Sequence, residues 1–185
     1  NYKENPNIKC GFKKGTQMKK KENLIKLFGR LPDHVSYLPI DFGSERIEDI
    51  LLRNGYDRDR KTLFLWEGVS YYLREESVSG VLRFVATHAP QGSSILFDYS
   101  LRSFVERNFK TYAAKEFARW LESVGEPFLF GLDPGEMSQF LKDKGLQPLS
   151  DVDADELNHR YVRRQNGTLL SPITNHFRIV HAVVI

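Results

Sequence analysis

The sequence predicts a parallel α/β sheet, on two observations. Short, continuously apolar runs alternate three times with segments whose apolar residues recur at helical spacing. The chain then closes on Phe177-Arg-Ile-Val-His-Ala-Val-Val-Ile185, an apolar run rich in β-branched residues that reads as a final strand.

Residues 1–15 contain Asn, Lys, Pro and Gly without a clear period, and are expected to be a flexible or non-native end. From Thr16 to about Gly29, Leu24, Ile25, Leu27 and Phe28 predict an amphipathic helix with a lysine face. Val35-Ser-Tyr-Leu-Pro-Ile40 reads as a strand ending at Asp41-Phe42-Gly43. Ser44 is a plausible N-cap for a helix carrying Ile47, Ile50 and Leu51 that stops near Gly55. Thr62-Leu-Phe-Leu-Trp66 and Ser94-Ile-Leu-Phe97 are runs that suit strands covered on both faces. Between them, Val78, Val81, Leu82 and Val85 repeat at helical spacing.

After Asp98-Tyr99 the rhythm changes. Val105 to Val124 outlines one long helix, and Asp133-Pro134-Gly135-Glu136 resembles a capping box with Pro at the first helical position. A helix through Met137, Phe140 and Leu141, a short strand over Leu146 to Leu149 and a helix over Asp153 to Val162 follow.

Composition narrows the function classes. A hydrophobic share of 41% in 185 residues builds one core, and no apolar run reaches the roughly 20 residues that cross a bilayer. A single cysteine, Cys10, excludes an internal disulfide and a thiolate metal cluster; a cytoplasmic location is expected. The net charge of +3 is unevenly spread, with Lys13, Lys14, Lys19, Lys20, Lys21 and Lys26 crowding the start. Without an accompanying nucleic-acid motif this run reads as a solvated helix face. His34, His88, His159, His176 and His181 show no metal-ligand spacing, and there is neither a G-x-S-x-G elbow nor a P-loop. Asn166-Gly167-Thr168 fits a glycosylation sequon but reads as a turn.

In open α/β sheets ligands bind beyond the carboxyl ends of the strands. Three such ends, Asp41-Phe42, Trp66-Glu67-Gly68 and Asp98-Tyr99, each set an acid beside an aromatic residue. The acid can accept from an adenine amino group or an ammonium, and the ring can stack on a purine. Gly68 would let a ligand approach the backbone.

These residues carry a resemblance. Thr16-Gln17 with Lys20 and Leu24, Leu31-Pro32, Pro39-Ile40-Asp41-Phe42, Leu65-Trp66-Glu67-Gly68-Val69 with Tyr72-Leu73, and Phe97-Asp98-Tyr99 are similar, in that order, to the leucine carboxyl methyltransferase-like proteins. So are Gly125-Glu126-Pro127-Phe128, Asp133-Pro134-Gly135-Glu136 and Phe177-Arg178-Ile179. The nearest branch is the bacterial and archaeal group of O-methyltransferases linked to polyketide-type metabolism. The resemblance implies a Rossmann-like class I methyltransferase sheet, mostly parallel, with an antiparallel C-terminal hairpin, in a partial domain over residues 16–185. It implies S-adenosyl-L-methionine (SAM) as cofactor and methyl transfer to a carboxylate or hydroxyl oxygen of a small molecule or protein. Asp41 and Phe42 would meet the adenine, and Trp66, Glu67 and Gly68 the methionine side. Tyr71, Tyr72 and Tyr99 would face the acceptor, under a cover formed by the helices between Leu101 and Lys144. No catalytic base is assigned.

One departure from the family pattern sets further expectations. No glycine-rich turn precedes Thr16, and Phe12 takes the place of the ribose-binding acid, with a lysine at position 14. The first two strands and half the cofactor site are therefore expected to be lacking, and this chain by itself is expected to bind SAM weakly. An exposed sheet edge would favour association, which makes a non-catalytic interaction module one alternative. A basic nucleic-acid-binding protein is the other.

Overall fold

The computed structural model describes residues 7–12, 14–164, 166–168, 170 and 173–185. In chain order they form β1 (Asn7–Phe12), α1 (Lys14–Phe28), β2 (Val35–Ile40), α2 (Ile47–Arg53), β3 (Leu63–Trp66), α3 (Glu75–His88) and β4 (Ser94–Leu101). There follow α4 (Arg102–Val105), α5 (Tyr112–Ser123), β5 (Gly131–Leu132), α6 (Glu136–Lys142), β6 (Leu146–Asp153), α7 (Ala154–Tyr161) and β7 (Phe177–Val184).

β3 and β4 pair in parallel, Leu63 opposite Ser94 through Trp66 opposite Phe97. β7 lies antiparallel beside β4, and β6 antiparallel beside β7, which is the expected C-terminal hairpin. The order is β3-β4-β7-β6, with β5 adding two residues to β4.

Two expectations about strands need correcting. β2 does not join the ladder of β3 and β4; it pairs in parallel with β1, Asn7 opposite Val35 through Phe12 opposite Ile40, as a separate two-stranded sheet. And β1, Asn7–Phe12, is a strand within the segment 1–15 expected to be a flexible or non-native end, of which residues 1–6 and 13 lie outside the described residues. A strand therefore does precede β2. Its signal was present as a period of two, since Ile8, Cys10 and Phe12 alternate with Asn7, Lys9 and Gly11.

The core lies on one face of the larger sheet. Ile95, Phe97 and Tyr99 of β4 and Val180, Ala182 and Val184 of β7 point into it. α3 covers them with Val78, Val81, Leu82 and Val85, α6 with Met137 and Leu141, and Leu51 of α2 closes the side. Each such side chain contributes about 1.5–3 kcal/mol by leaving water. On the opposite face, Leu63 and Leu65 of β3 are 60% and 67% exposed.

Three helix boundaries also differ. The apolar series from Val105 to Val124 is two helices, α4 and α5, because Arg107 takes a left-handed φ of 65° and Thr111 restarts the chain as N-cap, accepting from the Ala114 amide at 3.2 Å. α2 starts at Ile47 with Arg46 at its cap, not Ser44. α6 starts at Glu136 after a left-handed Gly135, so Pro134 precedes the helix. The Glu136 carboxylate still accepts from the Asp133 amide at 2.8 Å, which is half of the anticipated capping box. The Asn166 turn is as expected: its side chain accepts from the Thr168 amide at 3.1 Å.

Candidate active site at the strand ends

β3 ends at Trp66, and the chain turns through Glu67 and Gly68. Gly68 has φ of 70°, a left-handed conformation that costs other residues about 1–2 kcal/mol. This turn aims its amide at β4, where it donates to both oxygens of Asp98, at 2.9 and 3.1 Å. The Ser70 hydroxyl donates to the backbone carbonyl of the same residue. Burial pushes the Asp98 carboxyl above the usual carboxylate range, the Gly68 amide opposes that shift, and the neighbouring Glu67 adds to it. Asp98 was expected at a strand end, but β4 runs on to Leu101, so Asp98 stands within the strand, where its pairing with Gly68 was not legible.

At the end of β2 the Asp41 carboxylate folds back to accept from the Gly43 amide at 3.0 Å, and the Asp41 amide donates to Glu45 Oε2 at 2.7 Å. These bonds shape the entry to α2 and leave Asp41 exposed. Phe42 turns inward. Its ring lies 6.0 Å from that of Trp66, which lies 5.8 Å from Phe97. The ends of β2 and β3 are thus joined through an aromatic contact although no backbone ladder links them. Both rings are buried, so neither presents a free face, and Trp66 Nε1 has no hydrogen-bond partner among the described residues. Glu67 stands exposed beside them.

Tyr71 and Tyr72 follow on a single 3-10 turn over Ser70–Tyr72. Tyr71 is buried, 4.3 Å from Phe128 and 5.1 Å from Phe177. Burial, then the charge of Asp98, keeps its phenol protonated far above neutral pH. Tyr72 is half-buried against the Phe128 edge, and burial raises its phenol too. Tyr99 lies elsewhere. It is fully buried under the core helices and its hydroxyl donates to Asp151 at 2.8 Å, with Arg178 on the other Asp151 oxygen at 2.9 Å. The structure therefore brings Asp41, Phe42, Trp66, Glu67, Gly68, Tyr71 and Tyr72 to neighbouring strand ends and leaves Tyr99 as a brace between β4 and β6.

A buried histidine closes the aromatic side. His176 stacks on Phe104 with centroids 4.1 Å apart, is 8% exposed, and desolvation pulls its pKa down to about 4. Desolvation thus disfavours its charged imidazolium form. A cleft of about 570 Å³ runs between the start of α2 and the outer side of α3; it touches Phe42 but not Glu67, Gly68 or Asp98.

Comparison with known proteins bears on the chain's likeness and fold. Residues 13–86 match the family model described as leucine carboxyl methyltransferase. The "Putative S-adenosyl-L-methionine-dependent methyltransferase YktD" of Bacillus subtilis (strain 168) is 28% identical over 168 residues, covering 91% of this chain and 54% of that protein. The chain thus spans about half the length of this curated relative. Among solved structures, the mitomycin 7-O-methyltransferase MmcR superposes with a TM-score of 0.58 at 16% identity, over 96% of this chain and 41% of that one. Magnesium protoporphyrin IX methyltransferase (ChlM) from Synechocystis PCC 6803, solved with bound SAH, gives a TM-score of 0.55 at 9% identity, over 96% of this chain and 64% of that one. At such identities the likeness is one of fold: the chain carries the α/β fold of SAM-dependent methyltransferases.

Proposed function

We propose that the protein is a SAM-dependent methyltransferase acting on an oxygen of a small-molecule or protein-carboxylate acceptor. The observation that carries this reading is the Phe42–Trp66 contact, which sets the exposed carboxylates of Asp41 and Glu67 at adjoining strand ends. The donor set suits the cofactor. Asp41 would accept from the adenine amino group, Glu67 from the ammonium of the methionine part, and the left-handed Gly68 turn would let the ligand lie close to the backbone. Phe42 and Trp66 would serve as the floor of the site, since both rings are buried.

SAM would supply a methyl group on a sulfonium, and the residues here would contribute alignment and exclusion of water. A carboxylate acceptor is ionised at neutral pH and needs no base. For a hydroxyl acceptor, Asp98 is the better-tuned proton acceptor, since burial raises its pKa toward neutrality. Tyr71 and Tyr72, held protonated, would line the acceptor side, under α4 and α5. We place the protein in the cytoplasm; no helix among the described residues is long and apolar enough to cross a membrane. The uncovered edge of β3 is a surface for association. The comparisons favour neither a non-catalytic module nor a nucleic-acid-binding protein.

The test is an NMR titration of SAH, the demethylated product, into the chain. Binding in the millimolar range, about 4 kcal/mol, should shift the amides of Asp41, Glu67 and Gly68, and Asp41→Ala should weaken it. Shifts confined to other residues at saturation would refute the assignment.

A further inference from the structure

The loop between α4 and α5 borders a second, open cleft of about 570 Å³. Its walls carry Arg107, Lys110, Lys115 and Arg119, with Asn108 and Thr111 as neutral donors and no carboxylate. The whole chain is only +3, so this concentration is local. Two of the cations are held from behind by acids that do not line the cleft: Arg107 pairs with Glu122, and Arg119 with Glu116 at 2.7 Å. Lys110 and Lys115 have no ion-pair partner among the described residues. Like charges gathered around one concavity repel, and a bound anion relieves that cost. The left-handed Arg107, the one non-glycine residue with positive φ among those described, folds the loop so that residues 107–111 face α5.

We propose that this cleft binds a dianionic phosphate group, a phosphomonoester borne on an otherwise organic molecule. With Arg107 and Arg119 each paired to a carboxylate, Lys110 and Lys115 leave two unmatched positive charges, which balance a dianion and exceed the demand of one carboxylate, and guanidinium and ammonium donors suit the three oxygens of a phosphate. The volume leaves room for more than the phosphate itself. Phe109, on the cleft wall, lies 5.5 Å from Phe104; Phe104 lies 5.3 Å from Phe128, and Phe128 lies 4.3 Å from Tyr71. One cluster of packed rings thus runs from the cleft wall to Tyr71, beside the strand ends, and the molecule bearing the phosphate is the methyl acceptor. That last identification rests on the methyltransferase reading; the phosphate site does not. All the lining residues fall within 107–119, a short stretch rather than an extended track, which favours a small ligand over a nucleic-acid backbone.

Calorimetric titration of inorganic phosphate into the chain tests the site without any cofactor. Saturable binding is expected, about tenfold weaker in the Lys110→Gln/Lys115→Gln double variant, unchanged in Lys19→Gln/Lys20→Gln on α1, and about tenfold weaker for acetate. Unaltered phosphate binding in the Lys110/Lys115 variant, or equal affinity for acetate, overturns the proposal. So does a short single-stranded oligonucleotide that binds about a hundredfold more tightly than phosphate, since backbone tracking would then explain the lysines. Phosphate binding that persists where SAH causes no shift at Asp41, Glu67 and Gly68 upholds this site and removes the cofactor assignment alone.

Discussion

The Gly68 amide grips both carboxylate oxygens of Asp98, at 2.9 and 3.1 Å, across 30 residues of sequence. This contact fixes where β3 ends relative to β4. Asp98→Ala should cost about 0.5–1.5 kcal/mol, the net worth of the lost hydrogen bonding to the exposed Gly68 amide. Asp98→Asn, which keeps an acceptor, should cost less and should alter the pH response. The Asp98 pKa is raised in the fold, chiefly by burial, so the folded chain holds that proton more tightly than the unfolded chain. Stability from this group is present below the ordinary carboxylate range and is lost as pH rises through the raised value. Urea unfolding from about pH 3 to about pH 7 should show wild type losing ground to Asp98→Asn as pH rises. Parallel curves would contradict it.

His176 should act in the opposite sense. Its pKa falls from 6.5 to about 4 on burial, so the unfolded chain takes up the proton first. Stability is full above the unfolded value and declines as pH falls from about 6.5 toward 4, by on the order of 3 kcal/mol. His176→Phe keeps a ring against Phe104 and should remove that acid-side decline. Thermal melts at pH 7 and pH 4.5 would show it as a smaller drop in Tm for the variant.

Gly131→Ala should destabilise by about 1–3 kcal/mol through overpacking. A Cβ there would sit 2.8 Å from Val105 Cγ2 and 2.9 Å from the Leu101 carbonyl oxygen, so Gly131 is pressed by both α4 and β4. Gly80→Ala on α3, where a Cβ meets nothing within 4 Å, should instead stabilise by about 0.5–1 kcal/mol. Denaturation midpoints of opposite sign would confirm the pair.

The brace on Asp151 should be uneven. Tyr99→Phe removes one hydrogen bond and should cost about 0.5–1.5 kcal/mol. Arg178→Ala should cost more, since Arg178 serves Asp151 at 2.9 Å and Asp153 at 3.7 Å and leaves Asp151 half-buried with a hydroxyl alone. A double-mutant cycle should show coupling between the two; strict additivity would mean the residues act separately.

The strands were legible at Thr62–Trp66, Ser94–Phe97 and Phe177–Ile185 because short apolar runs suit covered strands, although the second continues to Leu101, and the C-terminal hairpin followed from the family resemblance. β1 escaped because its three apolar residues sit among Asn, Lys and Gly, which weaken strand propensity. The break between α4 and α5 escaped because Val105, Phe109, Tyr112 and Ala113 keep helical spacing across it, although Thr111 is a fair N-cap signal. Asp41, Phe42, Trp66, Glu67 and Gly68 were legible from their place after strands. That Phe42 would turn into the core, and that Tyr99 would be spent on Asp151, depends on partners distant in sequence, which local pattern does not carry.

β3 has one strand neighbour, β4, among the described residues, whereas β4 is flanked by β3 and β7. In a parallel pair each strand sends alternate amides to either side, so half of the β3 amides face away from β4. Deuterium should therefore enter Leu63–Trp66 well before Ser94–Leu101. The Glu67–Gly68 turn then hangs from the most labile strand of its sheet, and its geometry is held less by that strand than by the clasp on Asp98. Whatever settles along the free side of β3 would announce itself first as slowed exchange at Leu63 and Leu65, before any change in the turn.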